Sequence, residues 1–368
     1  MASGDPDPGL SILAMIIEAA RQRKLRIWLP AIRAGSGADV FTVRLAEALA
    51  RAGHDPLLQW FDHRYELMPW RLRYVAEPVG IDLVHAGSWQ GFAFKRPGIP
   101  LVVTEHQYVA HPAFSPYRSL PQMLYHRFFC ERWAIRSYAA ADAVVTVSEY
   151  CAAAMRVDLA KPITVIHNWV DTERFSPAWA VPSRGRVQHT ARRPFQLLFV
   201  GNPSRWKGAD LLPAIASLLG PEFEIQCIGG LRADFDAERL PANMKLLPRM
   251  DPAQMPTVYQ SMDAALVPTR YEAFGYVALE AMACGLPVLG FNSSGTSEVC
   301  LHRETALLAP IDDVQQLVAY ARELAHDRIL NRTLSERGRR RAVECFGENR
   351  AIESYLKIYR AALKVGHL

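Results

Sequence analysis

Two carboxylates eight residues apart, Glu272 and Glu280, stand in the segment VPTRYEAFGYVALEAMACGLPVLG (267–290). An apolar run ends there at Pro268, a short loop holds Arg270 and Glu272, and a helix is expected to begin near Phe274. Glu272 then precedes the first helical turn, while Glu280 lies about 7 to 8 Å along the axis from Gly275, at ~1.5 Å per residue. The helix amino end between them offers unpaired N–H groups and the positive pole of its dipole, a seat for a diphosphate. Glycine at 275 lets phosphate oxygens approach the backbone closely. One carboxylate can therefore accept sugar hydroxyls and the other ribose hydroxyls. A second cluster, Arg205 and Lys207, lies in VGNPSRWKG (200–208). Two cations held in one turn can stabilise the negative charge of a diphosphate without a metal.

These residues need rigid elements to aim them. LRIWLPAI (25–32) reads as a buried strand, AGSGAD (34–39) as a turn and VFTVRLAEALARAGH (40–54) as a helix closed by Gly53. The GSG turn (Gly35, Ser36, Gly37) places N–H groups ahead of that helix, either to meet a diphosphate or acceptor or simply to turn the chain. Strand-like runs follow at 55–61, 82–87, 100–106, 142–149 and 163–168, with helical stretches between several of them. The period is lost across SPAWAVPSRGRVQHTARRP, and a second series then runs at 195–201, 224–230, 243–248, 263–268 and 286–291. Repeated strand–helix alternation predicts parallel sheets covered on both faces, hence two doubly wound α/β domains with a cleft between their carboxyl edges. The expected division is an N-terminal domain over 1–178, a linker over 179–194 and a C-terminal domain over 195–345. A helix over 346–368 is expected to pack back toward the first domain.

With these motifs in hand, the sequence resembles the retaining glycosyltransferases of family 4, which have the GT-B fold of two facing Rossmann-like domains. Glu272 and Glu280 match the family's E-x7-E element, VGNPSRWKG its glycine-rich turn with a Lys-Gly pair, and ITVIHNWVDTERFSP (163–177) its inter-domain run. DAVVTVSE (142–149), TEH (104–106) and SSGTSEV (293–299) match in order, and the likeness covers about 25 to 364. The resemblance implies that Lys207 binds phosphate, that His106 faces the donor sugar and that no enzymatic nucleophile is used. Glu105, on the opposite side of an extended strand from His106, is not expected to serve as one. The family usually carries arginine directly after Gly201, where this chain has Asn202, so Arg205 is inferred to supply the guanidinium. The catalytic set is then His106, Arg205, Lys207 and Glu272. The substrate-binding set is Gly35, Ser36, Gly37, Arg249, Phe274, Gly275, Tyr276 and Glu280.

Composition sets the outer limits. Of 368 residues, 50% are hydrophobic and 21% charged, which excludes disorder and a polytopic membrane protein. A net charge of +5 is too mild to mark a nucleic-acid binder. Six cysteines form no CxxC pair, and the one DxD, Asp234 and Asp236, reads as a solvated turn, so no essential metal or cofactor is expected. The early apolar run Leu10–Ile17 is too short to span a bilayer, and a cytoplasmic location is expected. Residues 114–139 interleave Arg118, Arg127, Arg132 and Arg136 with aromatic side chains, the pattern of a helix lying on anionic membrane or of a core helix with solvated arginines. The expected partners are a nucleotide-sugar donor and a glycan or lipid-linked acceptor, in cell-surface polysaccharide or lipopolysaccharide synthesis. A nucleotide-sugar 2-epimerase or hydrolase of similar fold, or a non-catalytic scaffold subunit, remains the alternative.

Overall fold

Apolar runs rich in Val, Ile and Leu, bounded by turn residues, become two six-stranded parallel sheets. The computed structural model describes residues 23–178, 193–229 and 240–365. The first sheet holds β1 (Arg26–Ile32), β2 (Asp55–Phe61), β3 (Leu83–Gly87), β4 (Leu101–Glu105), β5 (Ala143–Thr146) and β6 (Ile163–Val165), in the order β2-β1-β3-β4-β5-β6. The second holds β7 (Phe195–Val200), β8 (Phe223–Ile228), β9 (Met244–Leu247), β10 (Ala264–Val267), β11 (Val288–Phe291) and β12 (Ala306–Ala309), in the order β12-β11-β10-β7-β8-β9. The helices are α1 (Gly37–Arg51), α2 (Leu120–Tyr125), α3 (Glu131–Ala140), α4 (Glu149–Asp158), α5 (Leu212–Leu219), α6 (Met255–Ser261), α7 (Tyr276–Ala283), α8 (Thr296–Val299), α9 (Val314–His326), α10 (Arg328–Phe346) and α11 (Glu348–Val365). In each sheet the strand order reverses beside the first strand of the unit, which opens a crevice at the carboxyl ends.

Three elements differ from the sequence pattern. Residues 114–139 do not form one helix: a 3₁₀ turn (Pro112–Tyr117), α2, a π-helical stretch (His126–Cys130) and α3 follow one another. Pro116 and Pro121 remove N–H donors early in this run, and the π turn rotates the face that α3 presents. α10 escapes the apolar pattern because only Leu334, Ser335, Gly338, Ala342 and Phe346 along it are buried. β12 is a four-residue strand outside the runs read from sequence.

One hydrophobic cluster runs through both domains, joining Trp28, Val103 and Tyr138 of the first to Phe274, Leu279 and Val299 of the second. A second cluster lies on the other face of the second sheet. The third is closed by α11, whose Ile352, Tyr355 and Tyr359 pack with Ile27 and Leu29 of β1 and Phe41 and Leu45 of α1.

Candidate active site

Lys207 sits in a 3₁₀ turn (Arg205–Lys207) just beyond the end of β7. The turn ends at Gly208, whose φ of 71° is left-handed and whose added Cβ would lie 1.9 Å from the Pro268 carbonyl oxygen. Only glycine lets the turn lie this close to the end of β10. Arg270, 7% exposed, completes the anchorage: its Nη1 donates to the Arg205 carbonyl at 2.5 Å and to Asp210 at 2.6 Å, and its Nε to Asp312 at 2.5 Å. Its backbone N–H donates to the Trp206 carbonyl at 2.8 Å. Held in this way, Lys207 forms an ion pair with Glu272, each side chain 22% exposed. Glu272 is fixed by its backbone, its N–H donating to Ser294 Oγ at 2.8 Å and its carbonyl accepting from the Gly295 N–H at 2.9 Å. Ammonium and carboxylate therefore meet just ahead of α7, whose N-cap Gly275 has φ 108°.

Glu280 lies in the second turn of α7 and faces the other domain. Its Oε1 accepts from Arg44 Nη2 of α1 at 2.5 Å, and its Oε2 from the Tyr259 hydroxyl of α6 at 3.0 Å. The Arg44 guanidinium also lies over the rings of Tyr276, at 4.9 Å, and Phe175, at 5.5 Å. Burial opposes its charge, but Glu280 outweighs burial and holds Arg44 above the usual arginine range.

One turn before Arg44, Phe41 packs on the His106 ring at 4.3 Å. Residues three apart share a helix face, so the His106 pocket and Glu280 open on the same cleft. Ala38, Asp39, Thr42, His85 and Gln90 line that pocket with them. Burial lowers His106 to about 4, so its ring is neutral near pH 7 and can donate or accept a hydrogen bond without carrying charge. In the GSG turn, the Gly35 N–H, read above as a contact for diphosphate or acceptor or as part of a simple turn, is taken by the Asp39 carboxylate at 2.8 Å. Glu105 is 2% exposed and bonded to the Tyr138 hydroxyl and the Gln107 N–H.

Contacts across the cleft fix the two units against each other. Tyr271 stacks on Phe114 at 4.6 Å and donates to the Tyr108 carbonyl at 3.1 Å. Glu298 caps α4 of the first domain by accepting from the Glu149 and Tyr150 N–H groups at 2.9 and 2.6 Å, and it also pairs with His167 at 3.0 Å. Burial would raise this carboxyl, yet His167 and the two N–H groups hold it below the usual carboxylate range.

Residues 185–341 match the family model described as glycosyl transferases group 1, and residues 56–174 match that of glycosyltransferase family 4. The second half of the chain is thus similar to the glycosyl transferases group 1 and the first to glycosyltransferase family 4. It is similar to the D-inositol 3-phosphate glycosyltransferase of Pseudarthrobacter chlorophenolicus, 28% identical over 315 residues that span 78% of this chain and 73% of that one. Among solved structures, sucrose-phosphate synthase from Thermosynechococcus elongatus superposes with a TM-score of 0.76 at 22% identity, covering 93% of this chain and all of that one. Anabaena HepE, solved with UDP-glucose, superposes at 0.71 and 18% identity, covering 92% and 100%. Both are GT-B likenesses, and the two facing sheets here have that fold.

The structure brings Lys207, Glu272, Gly275 and Glu280 to one edge of the cleft and His106 to the other. Arg205 shares the turn with Lys207 but its side chain is exposed, and Arg249 is exposed in the loop after β9. Phe274 is 2% exposed, its ring among His167, Tyr276 and Phe346 in the inter-domain core, so its backbone is the part nearest the helix end. Ser36 is the N-cap of α1, and Gly37 its first residue. Arg44, Arg270 and Ser294 were not marked by sequence. SSGTSEV supplied a signal for Ser294, whereas the partners of Arg44 and Arg270 are distant in the chain. In the glycine turn, Asn202 Oδ1 and Ser204 Oγ are buried without a hydrogen-bond partner. Asp234, Asp236 and residues 179–192 of the linker lie outside the described residues. Among the described residues, no group of three or more His, Cys, Asp or Glu could hold a metal ion, and no helix is long and apolar enough to cross a membrane.

Proposed function

We propose that the protein transfers a sugar, with retained anomeric configuration and without a metal, from a nucleoside-diphosphate donor to a hydroxyl of a glycan or lipid-linked acceptor. The observation that carries this reading is the Lys207–Glu272 pair at the amino end of α7, with Glu280 on the same helix. In this reading the diphosphate lies against the helix end and Lys207, which stabilise charge as the bond to the anomeric carbon breaks. Glu272 accepts sugar hydroxyls and Glu280 ribose hydroxyls. Neutral His106 offers a hydrogen bond near the donor sugar as positive charge develops at the anomeric carbon, and an incoming hydroxyl attacks the face the leaving group vacates. Glu105 is enclosed by Tyr138, which supports a route without an enzymatic nucleophile.

HepE was solved with UDP-glucose, which makes UDP-sugars the first donors to try, followed by GDP-sugars. Thermal shift in EDTA with UDP, GDP, ADP and their sugar conjugates tests the donor site, since a ligand at 100 times its Kd adds ~2.7 kcal/mol. Selective stabilisation by one nucleotide is expected. Release of diphosphate without acceptor would instead indicate a hydrolase or epimerase, and an inverted product linkage would overturn retention.

The acceptor reading includes contact with an anionic membrane and a role in cell-surface polysaccharide or lipopolysaccharide synthesis. Leu120, Leu124, Phe128, Phe129 and Ile135 are exposed, and Arg127, Arg132 and Arg136 are exposed among them. Trp70, in the 3₁₀ turn Pro69–Tyr74 that also carries exposed Arg71 and Arg73, packs beside Trp133 of α3 and extends this face. Exposed aromatic groups beside cations suit the headgroup region, at ~1 kcal/mol per cation near the surface. The protein should co-sediment with vesicles containing phosphatidylglycerol, and the double variant Phe128→Ser, Arg132→Glu should release it. Equal binding to pure phosphatidylcholine vesicles would remove the membrane reading.

A further inference from the structure

The carboxylate assigned above to ribose is not presented by its own domain alone. Glu280 is 13% exposed and its charge is met by Arg44, which the opposite domain supplies. The two residues are 236 positions apart and stand in equivalent places, each in the second turn of a helix whose glycine-bearing amino end faces the cleft. Arg44 is itself tightly placed, 14% exposed between the rings of Phe175 and Tyr276, with Nη1 3.5 Å from the Trp169 carbonyl. We propose that Arg44 is a positioning residue for the donor: it orients the Glu280 carboxylate, so that the ribose grip is complete only when the two domains meet.

The inference rests on the reading of Glu280 as the ribose-binding group. A carboxylate oxygen has two acceptor sites, and Arg44 and Tyr259 use one on each. Two remain, one per oxygen, spaced for the vicinal hydroxyls of a ribose. Without Arg44, the carboxylate stays in the same poorly solvated place with only a hydroxyl partner. With the Tyr259 hydroxyl as its one remaining anchor, the carboxylate is free to turn away from the ribose. Loss of Arg44 should therefore weaken recognition of the ribose more than that of the base or phosphates. Because Phe41, three residues earlier, packs on His106, the helix that completes the donor grip also walls the His106 pocket.

The test compares binding of UDP with 2′-deoxy-UDP, and GDP and ADP with their deoxy counterparts, by calorimetry on the wild type, Arg44→Ala, Arg44→Gln and Arg44→Lys. The wild type should prefer the ribonucleotide by about tenfold. Arg44→Ala should bind it at least tenfold more weakly and discriminate less than twofold, with Arg44→Lys restoring part of the preference. If Arg44→Ala does not fold, Arg44→Gln, which keeps most of the side-chain length without charge, serves for the same comparison. A variant that binds more weakly but keeps the wild-type preference for ribose would reduce Arg44 to a domain-packing role and overturn the proposal. A wild type that binds a nucleoside diphosphate without preferring ribose would overturn the reading of Glu280 itself, and no binding of any nucleotide would overturn the donor site.

Discussion

Lys207 and Glu272 neutralise one another at a point where both are only partly solvated. Removing either leaves the other's charge without its partner, so each single substitution costs ground-state order as well as transition-state stabilisation. Lys207→Ala and Glu272→Ala should each lose at least ~2 to 3 kcal/mol in kcat/KM while the protein still folds. The double variant should lose less than the sum, because the two side chains act on one another. A wild-type rate in either single variant would sink its role. Glu272 and Glu280 could be picked out because their spacing around an expected helix start gives each a geometric role, and Lys207 because it stands in a glycine turn that resembles the family's. Arg44 could not, since an arginine within an amphipathic helix reads as a solvated cation until the fold brings Glu280 beside it. Asn202 stands where the family places arginine, and Arg205, exposed, shares the three-residue turn with Lys207.

At the scale of elements, the chemistry depends on a three-residue turn locked from three sides. Gly208 allows close approach to Pro268, Arg270 ties the turn's carbonyls, and Asp210 and Asp312 neutralise Arg270. Gly208→Ala should displace this turn: the new Cβ meets a backbone carbonyl that cannot swing aside, at a φ that itself costs ~1 to 2 kcal/mol for any other L-residue. Nucleotide affinity should fall at least tenfold by calorimetry with the far-ultraviolet circular dichroism unchanged, and an unaltered affinity would show that Lys207 tolerates movement of the turn. The strands that carry these loops were readable as apolar runs, because both faces of a parallel sheet are buried. α10 was not, because a 19-residue helix that buries so few side chains leaves almost no apolar stripe. The π turn at His126–Cys130 was equally hidden, since a single wide turn inside a helical run leaves no pattern in the sequence.

For the whole molecule, the chain's return to its first domain matters as much as the cleft. α11 follows the second domain yet covers β1 and α1, and at its centre the Tyr359 hydroxyl lies 2.6 Å from His85 Nδ1, while His85 Nε2 lies 2.7 Å from Thr104 Oγ1. His85 is 4% exposed, and burial, with His106 nearby, lowers it to about 3. Above pH 6.5 the ring is neutral in folded and unfolded chains alike, so stability is at its plateau. Below 6.5 the unfolded chain takes up a proton that the folded one refuses, and stability falls down to about pH 3, by roughly 2 kcal/mol at pH 5 from this group alone. Burial lowers His106 and His126 to about 4, which adds to the same slope. Urea midpoints should therefore be flat from pH 8 to 7 and drop steadily toward pH 5. His85→Asn should flatten part of that drop, while Tyr359→Phe, which strands a buried ring nitrogen, should lower the pH 8 plateau by about 1 to 3 kcal/mol. A midpoint unchanged between pH 7 and 5 would mean that His85 charges within the folded protein, and that α11 is held by its apolar face alone.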